Sequence, residues 1–190
     1  MAQPAQIEPR YTSESYFRLV EAGILHAEDR VELLEGVIIA MSPQNPPHAS
    51  TTAQVSDALR DAIRKRAVIR VQSPLVAGGY SVPEPDIAVV PGRHSDYVSA
   101  HPTTALLVVE VADTSLLPDR LTKAAIYATA GIPEYWVVNL RDDCVEVFRA
   151  PDQSAGRYNE NIIAHRGDRV DLVSFSDTSI AVDDLLPGSH

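Results

Sequence analysis

A short apolar segment with one carboxylate inside it constrains the fold of this chain more than any other feature. Residues 105–111 read Ala-Leu-Leu-Val-Val-Glu-Val, and Glu110 is their only charged side chain. A run of aliphatic and β-branched residues of this length predicts a strand that is buried on both faces of a sheet. Because an isolated charge is costly to bury, Glu110 must be neutral, paired or bound to a metal. The sequence therefore requires a partner for Glu110.

The length and composition are typical of one globular domain with a substantial core. We expect residues 1–10 to form a flexible N-terminal tail and residues 11–187 to form a single domain. No apolar run reaches the roughly 18 residues of a membrane helix, and a secretory signal pattern is missing, so we expect a cytoplasmic protein. The only cysteine, Cys144, excludes an intrachain disulfide and a cysteine-based zinc cluster, and is expected to be buried.

The net charge of −10 is unusual for a protein that binds nucleic acid, because phosphate contacts normally require a basic surface. The excess acid lies in residues 142–190, which hold ten Asp or Glu against four Arg. Residues 48–70 instead hold five basic residues against two acidic ones, with Arg60, Arg64 and Lys65 close together. This stretch predicts either a solvated helix face or a contact surface for a DNA backbone.

Hydrophobic periodicity and turn residues divide the chain into helices and strands. The predicted helices span residues 13–22, 48–66 and 114–130. The predicted strands span residues 68–77, 80–90, 105–111, 134–140, 144–149, 157–164 and 169–175. Two shorter strand-like pieces flank Glu35 and Gly36 as a hairpin or a bend, and the proline-rich residues 42–47 predict a loop without regular structure.

The strand of Glu110, the helix that follows it and the strand of Trp136 form a β-α-β unit. Such a unit implies a parallel strand pair with a right-handed crossover, while the flanking hairpins imply antiparallel neighbours. We therefore expect an α/β (α+β) fold, with a mixed sheet flanked by helices.

Candidate partners for Glu110 follow from this topology. Asp86 begins a core strand directly after Pro85, so antiparallel pairing of its strand with that of Glu110 brings the two carboxylates together. Two adjacent carboxylates repel each other unless a cation lies between them, and oxygen ligands suit Mg²⁺. Lys123 lies in the following helix and can hold water or neutralise developing charge. An acidic pair, a divalent ion and a lysine are suited to cleaving phosphodiesters.

A series of short motifs along the chain resembles one known family. In order they are Glu32-Leu33-x-x-Gly36, His48, Pro85-Asp86, Glu110-Val111, Asp119, Lys123 and Tyr127-Ala128-x-x-Gly131-Ile132-Pro133-Glu134-Tyr135-Trp136. This order resembles the Uma-two family, a large bacterial family within the PD-(D/E)XK nuclease superfamily. The resemblance covers about residues 11–187, and the final block is its most specific part.

The resemblance implies a restriction-endonuclease-like core and DNA cleavage that depends on Mg²⁺, or on Mn²⁺ in its place. Asp86 and Glu110 would bind the metal, and Lys123 would act as the catalytic lysine. Glu32, His48 and Asp119 would be auxiliary residues. Glu32 could coordinate the metal through a water molecule or cap the opening of the sheet.

Two positions depart from the superfamily pattern. The position two residues after Glu110 is Ala112 rather than lysine, and the helix residue Lys123 is the usual substitute in this family. Asp113 stands where a small serine is common, and it adds negative charge beside the site.

Each candidate residue also has a structural interpretation. Glu110 could form a salt bridge with Lys123 in an inert protein, and Asp86 could cap the start of a strand. Asp119 could pair with Lys123 along the helix. Three aromatic residues are better explained as core packing than as base-stacking platforms: Tyr127, Tyr135 and Trp136.

Three functions are compatible with these residues. The first is a metal-dependent DNA endonuclease, for which a homodimer is plausible because cutting both strands requires two sites. The second is a catalytically silent module of the nuclease fold that binds DNA or a partner. The third is a metal-dependent hydrolase of smaller phosphoesters.

Overall fold

The computed structural model describes residues 11–113 and 122–188, and a six-stranded mixed sheet forms its centre. The predicted tail, residues 1–10, lies outside the described residues. The α-helices in the described part are α1 Ser13–Glu21, α2 Pro46–Ile63 and α3 Ala124–Thr129. The strands there are β1 Val31–Leu34, β2 Val37–Ala40, β3 Val68–Val71, β4 Ile87–Val90, β5 Leu107–Ala112, β6 Glu134–Asn139, β7 Cys144–Asp152, β8 Arg157–His165, β9 Arg169–Leu172 and β10 Phe175–Ala181. No helix in these ranges is both long and apolar enough to cross a bilayer.

The central sheet has the strand order β3-β4-β5-β6-β7-β8. Strands β5 and β6 are parallel, and every other neighbouring pair in this sheet is antiparallel. The predicted β-α-β unit and the mixed sheet are therefore confirmed. Two small antiparallel hairpins, β1-β2 and β9-β10, accompany the sheet. The second hairpin replaces the single strand predicted over residues 169–175, because the chain turns after Leu172 and returns as β10.

The alternation of side chains along β5 assigns its residues to two cores. Val109 and Val111 pack on the face covered by α2 and the β9-β10 hairpin. Val108 and Ala112 pack on the opposite face, which is covered by α3. Since residues two apart along a strand share a face, Glu110 points to the same side as Val108 and Ala112. The buried carboxylate therefore lies on the α3 side of the sheet.

Helix α2 differs from its prediction at both ends. Pro46 and Pro47 begin the helix rather than closing a loop, and Asn45 caps it by accepting a hydrogen bond from the His48 N–H at 3.0 Å. Proline is tolerated there because the first N–H groups of a helix have no partner within it. The helix ends at Ile63 because Arg64 adopts a left-handed conformation, with φ of 51°. The loop predicted over residues 42–47 is therefore wrong for its last two residues.

The long strands predicted over residues 68–77 and 80–90 are only partly correct. Pairing stops at Val71, because Gln72 has a left-handed φ of 45°. Beyond it the chain keeps isolated contacts, such as the Leu75 N–H donating to the Pro83 carbonyl at 2.9 Å. The first part of the helix predicted over residues 114–130 lies largely outside the described residues, and α3 ends before Gly131 as expected, where φ is 73°.

The N-terminal part of the described chain folds as predicted. Thr12 caps α1 with a reciprocal capping box to Ser15, and the helix ends before Gly23. The segment around Glu35 and Gly36 is a hairpin turn rather than a bend, since β1 and β2 pair on either side of it. Together α1 and this hairpin form a small third core around Leu33.

Candidate active site

The two acidic residues predicted as metal ligands lie side by side in the fold, Asp86 directly before β4 and Glu110 in β5. Ile87 is opposite Val109 in the antiparallel β4-β5 pair, so the next position places Asp86 beside Glu110. Both residues are buried, with 7% and 4% of their surface exposed. The predicted strand pairing is confirmed, and it brings both carboxylates to one margin of the sheet.

Asp86 is held by contacts on both carboxylate oxygens. Its Oδ2 accepts a hydrogen bond from the Val111 N–H at 2.8 Å and lies 3.2 Å from His48 Nε2. Its Oδ1 has a long contact of 3.5 Å with Gln72 Nε2. The hydrogen bond to Asp86 raises the pKa of His48, although burial of the ring opposes this effect. Asp86 thus joins β4 to β5 and has one weakly engaged oxygen.

Glu110 forms the ion pair that the sequence suggested. Lys123 Nζ lies 3.1 Å from Glu110 Oε1 and 3.4 Å from Glu32 Oε2. Glu32 Oε2 also accepts a hydrogen bond from the Glu84 N–H at 3.1 Å. The ammonium therefore lies between two buried carboxylates from separate parts of the chain. The structure brings Glu32 into the same group as Glu110 and Lys123.

Tyr127 is a site residue that the sequence analysis treated only as core. Its ring is fully buried, as predicted, but its hydroxyl donates to Glu110 Oε1 at 2.8 Å. Burial, with a smaller effect of the Glu110 charge, raises the pKa of Tyr127 well above its ordinary value, so the hydroxyl remains a donor. Residues four apart on a helix share a face, and the spacing from Lys123 to Tyr127 was a signal for this role.

The other two aromatic residues of the specific motif block are core residues. Tyr135 and Trp136 are fully buried, and Tyr135 packs against Tyr127 with ring centroids 5.1 Å apart. The prediction of core packing is confirmed for both. Cys144 is also buried, as expected.

Gln72 is the second residue that the sequence analysis did not identify. It follows β3 in a left-handed conformation, and its backbone N–H donates to the Asp86 carbonyl at 3.1 Å. Both its backbone and its side chain therefore contact Asp86. Non-glycine residues with positive φ often mark functional sites, but this conformation could not be inferred from the residue type.

The ionisable residues of this site line an open cavity of about 290 Å³, called here the site cavity. Its charged residues include Glu32, Asp86, Glu110, His48 and Lys123. With Arg30 and Glu84, which also line it, the described part of the site cavity holds four carboxylates, three of them buried, against one lysine, one arginine and one histidine. This excess of negative charge is what a divalent cation would neutralise.

The donor set of the site cavity suits Mg²⁺, a hard cation that prefers oxygen ligands. In the described ranges, no group of three or more His, Cys, Asp or Glu side chains is arranged to enclose a metal ion. Mg²⁺ does not need such a cage, because it binds through one or two carboxylates and retains several waters. Asp86 and Glu110 offer carboxylate oxygens side by side in the fold. The residues therefore fit this ion.

The two departures from the superfamily pattern have clear structural consequences. Ala112 is fully buried on the Glu110 side of the sheet, and the ammonium group comes from Lys123 on the helical segment instead. Asp113 Oδ2 accepts a hydrogen bond from Asn45 Nδ2 at 2.6 Å. The extra carboxylate is therefore engaged with the cap of α2 and joins that helix to the end of β5.

The basic stretch lies at the opposite end of α2 from the site cavity. Arg60 follows His48 by twelve residues, which corresponds to about 18 Å along a helix axis. Arg64 and Lys65 are exposed beyond the last turn. Their contact with a DNA backbone stays a prediction. Asp119, the third auxiliary residue, lies outside the described residues.

Comparison with known proteins places the chain in a family. The model of the Uma2 family, described as "Putative restriction endonuclease", matches residues 13–183. The chain therefore belongs to the Uma2 family, and the family suggested by its motifs is confirmed. No curated protein matches the chain.

A solved structure supports the fold independently. The crystal structure of a putative nuclease belonging to DUF820, from Anabaena variabilis ATCC 29413, matches with a TM-score of 0.74. The sequences are 18% identical, and the match covers 92% of this chain and 97% of that chain. At this identity the similarity establishes the fold alone. The expected restriction-endonuclease-like architecture is confirmed.

Proposed function

We propose that this member of a nuclease-like family is a Mg²⁺-dependent endonuclease that hydrolyses DNA phosphodiester bonds. One observation carries the proposal: Asp86, directly before β4, and Glu110, in β5, line the same open cavity, with Lys123 Nζ 3.1 Å from Glu110 Oε1. The excess of buried carboxylates supports a divalent cation there. The family and the shared fold support a nucleic acid substrate.

Asp86 and Glu110 would hold the metal, which can be Mg²⁺ or Mn²⁺. The bound ion would supply Lewis-acid stabilisation of the phosphate and make a nearby water more acidic. The protein orients both ligands. The Val111 N–H and His48 hold Asp86, and the Tyr127 hydroxyl holds Glu110.

Lys123 would stabilise negative charge on the phosphate or position the attacking water. In hydrolysis a water oxygen bonds to phosphorus, one P–O ester bond breaks, and the departing oxygen gains a proton. A positive group fixed in a largely buried site stabilises the developing charge more than one in bulk water. The paired carboxylates of Glu32 and Glu110 fix the ammonium before the substrate arrives.

Cleavage of supercoiled plasmid and of single-stranded DNA, in Mg²⁺ or Mn²⁺, tests this proposal. We expect cleavage by the wild type, and a loss of at least 100-fold in Asp86→Asn and Glu110→Gln, an order of magnitude typical of losing an essential electrostatic group. Glu14→Gln, which changes an exposed carboxylate on α1, is the matched control. Equal activity in all four proteins would contradict the assignment.

A silent module of the nuclease fold is the second candidate. It is favoured by the ion-pair group of Lys123, Glu32 and Glu110, in which the ammonium group already compensates part of the buried negative charge. Calorimetric titration with Mg²⁺ separates the two candidates: heat of binding that Asp86→Asn abolishes supports the enzyme.

Cleavage of bis(p-nitrophenyl) phosphate without cleavage of DNA would indicate the third candidate, a hydrolase of smaller phosphoesters.

We also propose a homodimer and a cytoplasmic location. Strand β8 is the last strand of the central sheet and exposes Ile162 and Ile163 by 45% and 56%. An unpaired edge can add a strand of a second copy. Light scattering of the wild type and Ile163→Lys tests this arrangement, because the charge should shift a dimer to monomers. A monomeric wild type would contradict it.

A further inference from the structure

A second groove adjoins the site cavity and is largely apolar. It has a volume of about 480 Å³ and is called here the aromatic groove. Its walls include Phe17 from α1 and His101 from the loop before β5. Arg30, Met41 and Glu84 line both this groove and the site cavity. A ligand that occupies one can therefore extend into the other.

The aromatic groove contains a pre-arranged stack of flat rings. The Phe17 and His101 rings are nearly parallel, at 15°, with centroids 5.3 Å apart. Tyr16 meets Phe17 edge-on at 5.6 Å, and its hydroxyl donates to the Val31 carbonyl at 3.0 Å. Tyr16 is buried, whereas Phe17 and His101 are each only partly buried. Tyr16 thus packs against Phe17 from the buried side, and the Phe17 and His101 rings are accessible from the groove.

The charges around the aromatic groove differ from those of the chain as a whole. Arg30 and His26 line it together with Glu84, and Arg70 Nη2 lies 3.3 Å from His101 Nδ1. Burial, with the neighbouring Arg70 charge, lowers the pKa of His101, so its ring is neutral at neutral pH. A neutral ring stack edged by guanidinium groups suits a flat heteroaromatic group attached to a phosphate.

Gln72 connects the groove to the candidate metal ligands. It lines the aromatic groove, and its Nε2 lies 3.5 Å from Asp86 Oδ1. A nucleotide whose phosphate lies at Asp86 would therefore have its base within reach of the ring stack.

We propose that the aromatic groove binds an unpaired nucleobase of the DNA strand whose phosphate enters the site cavity. The substrate class is then single-stranded or locally opened DNA, because a base in an intact duplex is already stacked between its neighbours. The groove volume lies within the usual range of small-ligand sites. This inference rests on the proposed function, since it assumes that DNA is the substrate.

Binding without metal tests the groove separately from catalysis. The probe is a single-stranded oligothymidylate with one 2-aminopurine, a fluorescent base that is quenched when it stacks, measured in EDTA. We expect the wild type to quench the probe and to bind it more tightly than a duplex of the same sequence. Phe17→Leu and His101→Ala should lose quenching and bind about 5- to 100-fold more weakly, the range for removing one stacking contact.

Phe17→Leu keeps an apolar side chain in the small core, so its thermal unfolding should report whether the fold is intact. Tyr80→Ala, which removes a half-exposed ring away from the groove, is the matched control and should bind as the wild type does. Unchanged binding and quenching in Phe17→Leu and His101→Ala, or no quenching by the wild type, would overturn the proposal.

Cleavage assays in Mg²⁺ distinguish failure of the groove proposal from failure of the proposed nuclease function. If the wild type cuts duplex DNA and Phe17→Leu cuts it equally well, the proposed nuclease function is supported and the groove proposal is wrong. If no DNA is cut but binding still depends on Phe17 and His101, the groove binds a base and the nuclease proposal is wrong.

Discussion

Lys123 Nζ, on the residue directly before α3, lies 3.1 Å from Glu110 Oε1 in β5. Only 9% of the lysine side chain and 6% of the glutamate side chain are exposed. Both charges are therefore removed from water, and each depends on the other for compensation. This pair supports the fold of the site whether or not the protein cleaves DNA, so stability and activity must be measured separately.

Replacing Lys123 by Met should destabilise the protein strongly. The change leaves Glu32 and Glu110 buried without their shared cation, which costs about 3–5 kcal/mol when one partner of a buried pair is removed. The free energy of unfolding in urea measures this loss. Arg18→Met breaks the exposed Arg18–Glu14 pair, 67% and 80% exposed, and should cost less than about 1 kcal/mol. Similar losses in the two variants would contradict the buried arrangement.

Replacing Tyr127 by Phe should reduce activity more than a simple loss of stability explains. The change removes only the hydroxyl that donates to Glu110 Oε1 and should cost about 1.5–3 kcal/mol of stability, because the acceptor is charged. If the hydroxyl orients a metal ligand, kcat should fall while the protein is still folded. Tyr158→Phe removes a hydrogen bond to the Ile132 carbonyl, at 2.9 Å, away from the site cavity. It should lower stability and leave kcat unchanged.

The candidate metal ligands and the lysine could be proposed from sequence because local rules place them near one another. A buried run identifies β5, the proline before Asp86 marks the start of β4, and antiparallel pairing brings Asp86 beside Glu110. The β-α-β rule then places Lys123 on the helix that covers Glu110. Each step depends on segments that are close in sequence or joined by one predicted pairing.

The remaining parts of the site depend on geometry that the residue types do not specify. Gln72 approaches Asp86 only because its φ is positive, which is uncommon for a residue with a side chain. Phe17 and His101 stack although they are far apart in the chain, and no periodic pattern connects them. Tyr127 has the buried ring of a core residue, as the sequence predicts, and only the hydrogen bond from its hydroxyl to Glu110 Oε1 shows that it also belongs to the site.

The stabilising effect of Asp143 should disappear at low pH. Arg166 forms a two-point contact with this carboxylate, at 2.6 and 2.8 Å, and holds the pKa of Asp143 below its usual value. A lowered folded-state pKa stabilises the protein above the unfolded-state pKa of about 3.9 and stops doing so as the pH falls through the folded-state value. The difference in unfolding free energy between the wild type and Asp143→Asn should therefore shrink as the pH falls from about 6 to 3.

The difference at pH 6 should be below about 1 kcal/mol, because the carboxylate is about half exposed and solvent screens the pair. Asp57→Asn, on the exposed side of α2, is the control. A difference that grows toward low pH would contradict the assigned direction.

Magnesium should raise the thermal stability of the wild type and should not stabilise Asp86→Asn. A ligand that binds only the folded state stabilises it by RT ln(1 + [L]/Kd), about 2.7 kcal/mol when the ion is at 100 times its Kd. Four carboxylates, three of them buried, against one lysine, one arginine and one histidine in the described part of the site cavity are the source of the expected affinity. Thermal unfolding in increasing concentrations of Mg²⁺, with EDTA as the reference, measures the shift in Tm directly. Glu14→Gln should respond as the wild type does, because an exposed carboxylate on α1 cannot contribute to the site cavity. An equal shift in Asp86→Asn would mean that the ion binds elsewhere, and the metal site would then have to be assigned to other residues.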